Sequence, residues 1–202
     1  MAGVRARLYL VLTPSVCRRD PLETAAAAID GGVEMVQLRD KEADDAAFLR
    51  LARKLSQVCR PRGVPLILND RARLVRDAGA DGVHVGEDDT PPEEIGKGMI
   101  IGLSTHDGAE ASAAKSRGAT YIGLGPIFPT GTKELRRTPR GVALLREALG
   151  ATDLPLFPIG GITAANAPEL VAAGATRLAV SSAICAAEDP RASAAALRAL
   201  LG

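Results

Sequence analysis

Gln37, Arg39 and Lys41 occupy every second position of the stretch VQLRDK, with Leu38 and Asp40 between them. Side chains alternate across an extended strand, so this spacing aims an amide and two cations at one face. Two cations on one face suit an anion. Further along, ILND ends in Asn69 and Asp70, GVHVGEDD ends in Glu87, Asp88 and Asp89, and IGLSTH carries Ser104, Thr105 and His106. Mg²⁺ prefers hard oxygen ligands and takes one or two carboxylates together with phosphate oxygens and water. Asp70 and Asp89 have the chemistry for that role, while Arg39 offers a planar fork and Lys41 a point charge to phosphate oxygens. Near the end of the chain, Ile159-Gly160-Gly161-Ile162 and Ser181-Ser182-Ala183-Ile184 suggest a second phosphate subsite, because glycine lets backbone approach an anion and helix N-termini present free N–H groups. The expected ligand of the whole set is a magnesium-bridged phosphate ester.

The elements that must hold these groups are short apolar runs alternating with Ala-rich helical stretches. Strands are expected at Leu8–Leu12, Met35–Arg39, Pro65–Asn69, Gly82–Val85, Met99–Leu103, Tyr121–Leu124, Leu156–Ile159 and Leu178–Val180. In DDAAFLRLARKLSQVCR, the residues Phe48, Leu51, Ala52, Leu55 and Val58 recur at helical spacing and form one apolar face. AANAPELVAAGA and PRASAAALRALL read as further helices, the last with Pro190 in its first turn. The segments DGGVEMVQL, DAGADGVHV, SRGATYIGL and AAGATRLAV form a weak repeat in which a Gly-terminated helix hands over to an apolar strand. This order predicts a single-domain α/β fold over residues 1–202, a (β/α)8 TIM barrel, with a doubly wound open sheet as the alternative. In such a barrel, active residues follow the C-terminal ends of the strands, where the polar groups named above stand.

Taken singly, many of these residues have structural uses. Asp70, Asp89 and Thr90 could cap helices; His84 reads as a packed, hydrogen-bonded core residue, His106 as a loop or helix-start residue, and Arg136 with Arg137 as solvated loop charge. Composition narrows the field. With 25 basic and 24 acidic residues, the formal net charge is +1, which gives no general attraction for nucleic acid or an anionic membrane. Uncharged stretches stop short of the roughly 18 residues that a membrane span needs. RLYLVL near the N-terminus reads as a first strand rather than a signal segment. Cys17, Cys59 and Cys185 are widely spaced and odd in number, so neither a disulfide framework nor a zinc site is expected, and a cytoplasmic location fits.

The ordered set VQLRDK, ILNDR, GADGVHVGEDD, IGLSTH, GLGPIFPTGTK, PIGGIT and AVSSAI resembles the thiamin phosphate synthase family, from Leu8 to about Pro190. The resemblance implies a Mg²⁺-dependent transferase. It would join 4-amino-2-methyl-5-(diphosphooxymethyl)pyrimidine to a carboxylated or uncarboxylated thiazole phosphate, giving thiamin phosphate and pyrophosphate. It implies that Gln37, Arg39, Lys41, Asn69, Ser104 and Lys133 contact the pyrimidine diphosphate, with Arg39, Lys41, Ser104 and Lys133 catalytic. Asp70 and Asp89 would bind Mg²⁺, and Thr130, Thr132, Gly161, Ser181 and Ser182 would hold the thiazole phosphate. The loop from Pro129 to Gly141, with Lys133, Arg136, Arg137 and Arg140, is read as a mobile lid. Partners would be small phosphorylated molecules, with a homo-oligomer possible.

Two features depart from the family pattern: Thr13-Pro14 stands where an Asp is common after the first strand, and Pro158 where Gly or Ala is commoner. Three other readings compete. A thiazole tautomerase of the same superfamily carries a His in the strand-six loop, where this chain has Pro126. A phosphate-binding isomerase barrel accounts for IGGI but not for the Asp70 and Asp89 pair. A non-catalytic thiamin-pathway binding barrel would share the ligand set without turnover.

Overall fold

The computed structural model describes residues 4–86, 89–96, 98–130 and 138–202. Eight parallel strands lie in the order β7-β6-β5-β4-β3-β2-β1-β8, and β7 and β8 meet across the remaining seam. They are β1 Leu8–Leu12, β2 Met35–Leu38, β3 Leu66–Asn69, β4 Gly82–Val85, β5 Ile100–Thr105, β6 Tyr121–Leu124, β7 Leu156–Pro158 and β8 Leu178–Val180. Helices follow the strands as α1 Pro21–Asp30, α2 Asp45–Cys59, α3 Val75–Ala78, α4 Gly108–Ala113, α5 Gly141–Leu149, α6 Ala167–Ala172, α7 Ser182–Cys185 and α8 Pro190–Ala199. This is the barrel expected from the alternation of short apolar runs and helices, and not an open sheet wound in two directions.

Local signals explain the punctuation. Asp20, Asp44, Asp107 and Asp189 each accept a backbone N–H in the first turn of the helix that follows. The four repeat glycines Gly32, Gly79, Gly118 and Gly174 all have positive φ, the conformation in which a helix is turned back into a strand at least steric cost. On α2 the buried face is Phe48, Ala52, Leu55, Ser56 and Cys59; Leu51 and Val58 sit at its margin, a rotation of the expected stripe by about one residue. Pro158 finds its reason at the seam. Ile159 N–H bonds to Leu124 O on β6, so alternation turns the Pro158 nitrogen, which has no hydrogen, toward β8, where no ladder bond is lost.

Alternation also sorts the core. Leu8, Leu10, Leu12, Val36, Leu38, Leu66, Leu68, Val83 and Val85 face the helices in one large cluster. Tyr9, Met35, Ile67, Tyr121, Phe157 and Ala179 fill the interior of the barrel. Two strand glycines make room there: a Cβ on Gly102 would lie 2.2 Å from Tyr121 Cζ and 2.3 Å from His84 Nδ1, and one on Gly123 would lie 3.1 Å from His84 Cε1. Gly102→Ala is therefore expected to cost about 3 kcal/mol, at the upper end of ordinary overpacking, and to lower the melting temperature by roughly 6–12 °C. Thermal unfolding checks this; an unchanged midpoint would mean that the two rings move aside freely.

Candidate active site

Strand β2 stops at Leu38, one residue before the expected end, so only Gln37 of the alternating trio points into the barrel from a strand. Arg39 and Lys41 lie in the turn beyond it. That turn is shaped by Asp40, whose Oδ1 accepts the N–H groups of Glu42 and Ala43. Arg71 secures it from the next loop: its guanidinium donates to the carbonyls of Asp40, Ala43 and Asp44 and lies 4.2 Å over the Phe48 ring. Held in this way, Lys41 Nζ reaches Asp70 Oδ2 at 3.2 Å. Among the described residues, the half-buried Arg39 guanidinium has no hydrogen-bond or ion-pair partner.

Asp70 is not a helix cap. The short 3-10 turn at Ala72–Leu74 has Arg71 at its N-cap, and the Asp70 side chain instead turns toward Lys41 and Asp89. Its backbone has φ 62°, a conformation uncommon for a residue with a Cβ, and Asp70 N–H is anchored on His84 O at 2.8 Å. Such backbone strain gathers at functional sites. Asp89 is not a cap either, since the 3-10 turn at Pro92–Glu94 has Pro91 at its N-cap; Asp89 Oδ2 instead accepts Gly86 N–H at 2.8 Å.

The two carboxyl groups lie close enough to act on each other. Burial raises the pKa of Asp70, and the hydrogen bond and charge of Asp89 raise it further, against a smaller opposing pull from Lys41. Two carboxyl groups so placed, only partly balanced by one lysine, have the hard-oxygen chemistry that could hold a divalent cation. Among the described residues, no group of three or more His, Cys, Asp or Glu is placed to hold a metal ion. Below this pair, Gln37, Asn69 and Ser104 face the interior from β2, β3 and β5. His84 lies among them, packed and hydrogen-bonded as expected, with Nε2 3.0 Å from Ser104 Oγ.

At the other side of the mouth, Ser181 Oγ lies 3.3 Å from Thr13 Oγ1. Ser181 precedes α7 without capping it, and Ser182 is exposed in the first turn of that helix. Gly161, with φ 61°, packs so closely that a Cβ would lie 2.3 Å from Pro129 O, bringing the loop after β7 against the residue that precedes Thr130. Asn166 fastens this loop by donating to Gly161 O and accepting Thr163 N–H. A hollow of about 390 Å³ also opens at the N-terminal end of the barrel, lined by Val4, Arg5, Glu34 and Ile100, but it holds none of these groups.

The thiamine monophosphate synthase family model matches residues 8–184. The chain belongs to the thiamine monophosphate synthase family. It is 44% identical over 183 residues to the thiamine-phosphate synthase of Methanocella arvoryzae, an alignment covering 89% of this chain and 86% of that protein. It is 43% identical to the thiamine-phosphate synthase of Geobacillus kaustophilus, with 96% and 90% covered. Among solved structures, it superposes on thiamine phosphate pyrophosphorylase from Pyrococcus furiosus with a TM-score of 0.87 and 32% identity, covering 96% of this chain and 95% of that one.

Within this family frame, the candidate residues fall into three groups. Gln37, Arg39, Lys41, Asn69, Asp70, Asp89 and Ser104 stand on the successive strand ends β2 to β5. Thr130, Gly161, Ser181 and Ser182 stand on the loops after β6, β7 and β8. Thr132 and Lys133, and with them most of the expected lid including Arg136 and Arg137, lie outside the described residues, as do Glu87 and Asp88. Arg140, counted with the lid, pairs with Glu147 of α5 at 2.6 Å, and it is Glu147, by accepting Gly108 N–H, that ties α5 to α4. His106 is a helix-start residue as expected, bonded through Nδ1 to Glu110 at 2.9 Å.

Several contributors escaped the sequence reading. Arg71 was visible only as the residue after Asp70, and its work depends on carbonyls about 30 positions away. Thr13, a departure without an obvious role, is buried against Ser181. Cys17 and Cys185, far apart in sequence, are brought close enough to interact, which raises the Cys17 thiol pKa and lowers that of Cys185, while their Sγ atoms donate to Thr13 O and Val11 O.

Proposed function

We propose that the chain is a thiamin phosphate synthase, joining 4-amino-2-methyl-5-(diphosphooxymethyl)pyrimidine to a thiazole phosphate, carboxylated or not. The observation that carries this reading is the close Asp70 and Asp89 pair, with Lys41 on it, set directly above interior polar groups able to read a flat heteroaromatic ring. The bond from the pyrimidine methylene to the diphosphate oxygen breaks with its electron pair leaving on pyrophosphate, and the thiazole nitrogen lone pair forms the new C–N bond. CO₂ is lost in addition when the thiazole is carboxylated.

No side-chain nucleophile is required. Arg39, Lys41 and Lys133 neutralise charge gathering on the departing oxygens, and Gln37, Asn69 and Ser104 orient the ring. Asp70 and Asp89 would hold Mg²⁺, which when bound supplies further positive charge at the diphosphate. Thr130, Thr132, Gly161, Ser181 and Ser182 hold the thiazole phosphate. The apolar floor of Tyr9, Met35, Ile67 and Phe157 keeps water away from the reactive methylene cation. The related tautomerases carry a His in the loop after β6 at the position where this chain has Pro126, which favours the synthase reading. The partners proposed are small phosphorylated molecules rather than nucleic acid or membrane, with the enzyme working in the cytoplasm, as a homo-oligomer if it self-associates. No helix among the described residues is long and apolar enough to cross a membrane.

The test is a discontinuous assay with both substrates and Mg²⁺, following thiamin phosphate and pyrophosphate together. Equal formation of both products, stopped by EDTA and restored by excess Mg²⁺, is expected. A folded protein that binds thiazole phosphate yet forms neither product would point to the non-catalytic barrel.

A further inference from the structure

The chain contains two tyrosines, and both lie in the apolar interior of the barrel, 112 positions apart in sequence and 2.7 Å apart hydroxyl to hydroxyl. They form the middle of a continuous file of hydrogen bonds whose two ends are candidate substrate ligands. Gln37 Nε2 donates to the Tyr9 hydroxyl. Tyr9 meets Tyr121, whose hydroxyl lies 3.0 Å from His84 Nδ1, and His84 Nε2 lies 3.0 Å from Ser104 Oγ. Burial raises the pKa of both phenols far above that of a free tyrosine, so each keeps its one proton. Tyr9 and Tyr121 are 1% and 0% exposed, which makes an unspent hydroxyl proton costly.

The Gln37 amide, with Nε2 toward Tyr9, favours one of the two senses in which this file can run: Tyr9 donating to Tyr121 and Tyr121 to His84 Nδ1. In that sense His84 carries its proton on Nε2 and donates it to Ser104 Oγ. The Ser104 proton remains for an acceptor at the mouth, and Gln37 Oε1 for a donor. Gly102 and Gly123 reinforce the assignment of this file as a built feature, since a side chain at Gly102 would collide with Tyr121 and His84 and one at Gly123 would press on His84.

We propose that Tyr9, Tyr121 and His84 are positioning residues that lock the polarity of the pyrimidine half-site, with Ser104 as donor and Gln37 Oε1 as acceptor. This rests on the synthase reading for its substrate, and it selects a ring that pairs an acceptor nitrogen with an adjacent exocyclic amine. Binding energy then goes to the ring rather than to reorienting hydroxyls, which is what preorganisation means here.

Two measurements test it. Nitrogen-15 NMR of the wild-type protein at neutral pH should show His84 as a single Nε2–H tautomer with Nδ1 unprotonated, and Tyr121→Phe should leave a tautomer mixture. An Nδ1–H tautomer in the wild type would overturn the proposed polarity, whether or not the protein turns over, so failure of the synthase reading stays distinct from failure of this one. In the coupling assay, Tyr121→Phe should lower kcat/KM for the pyrimidine diphosphate by about tenfold while KM for thiazole phosphate stays within about twofold. Equal losses toward both substrates, or none, would reduce the file to a packing role. Tyr9→Phe cuts the same file one bond earlier and should give the same split, which decides the matter if Tyr121→Phe does not fold.

Discussion

An Asp70→Asn variant is expected to form thiamin phosphate at least about a hundredfold more slowly than the parent at fixed Mg²⁺, the scale associated with losing a principal electrostatic contact to the reacting group. Its half-saturating Mg²⁺ concentration should rise sharply, because one of two carboxylates in the proposed site is gone. Asn is the informative replacement. It tolerates the left-handed backbone that Asp70 adopts at φ 62°, so the strand end keeps its shape while the charge is removed.

Stability should move the other way. Burial and the facing Asp89 raise the Asp70 pKa, so without a divalent cation the folded protein holds that proton more tightly than the unfolded chain does. Ionised Asp70 then opposes folding above its folded pKa, and this penalty is relieved as pH falls through that value. In EDTA at neutral pH, Asp70→Asn should therefore be as stable as the parent or more so. The gap should close as the solution is acidified. Urea unfolding at neutral and mildly acid pH reads this directly, and an unaltered Mg²⁺ titration together with lower stability would remove Asp70 from the metal site.

Lys41→Ala should cost at least about tenfold in turnover, and more where the diphosphate relies on it for charge neutralisation. The Lys41 side chain is 53% exposed, so its 3.2 Å contact with Asp70 contributes little to folding. Loss of rate with an unchanged unfolding midpoint is the expected pair of results. Unchanged kinetics would place Lys41 outside the mechanism and leave Arg39 as the cation that meets the diphosphate on this strand end.

These contrasts show how far the residues could be read before their arrangement was known. The strand positions were legible because alternation is a local, two-residue pattern, and the helix exits because glycine alone adopts the required backbone cheaply, as at Gly32, Gly79, Gly118 and Gly174. Strand ends were less so: β2 gives up its ladder at Leu38 and β5 runs on to Thr105, since neighbours decide how far pairing continues. Asp70 and Asp89 looked equally suited to capping. The folded chain puts Arg71 and Pro91 at the N-caps instead and brings the two aspartates together.

The sequence by itself determined the alternation of eight strands with helices and the face that each strand turns inward, which follow from short-range periodicity, and its ordered strand-end motifs carried the resemblance to the family; closure into a barrel rather than an open sheet was left to the structure. Tertiary structure alone decided which polar groups touch. Closing eight strands around one axis directs Gln37, Tyr9, Tyr121, His84 and Ser104 into a shared interior, and no spacing along the chain encodes that Tyr9 and Tyr121 will meet. The same closure crowds Asp70 against Asp89 and Lys41, where burial and mutual charge, rather than residue type, give the carboxylate its altered proton affinity.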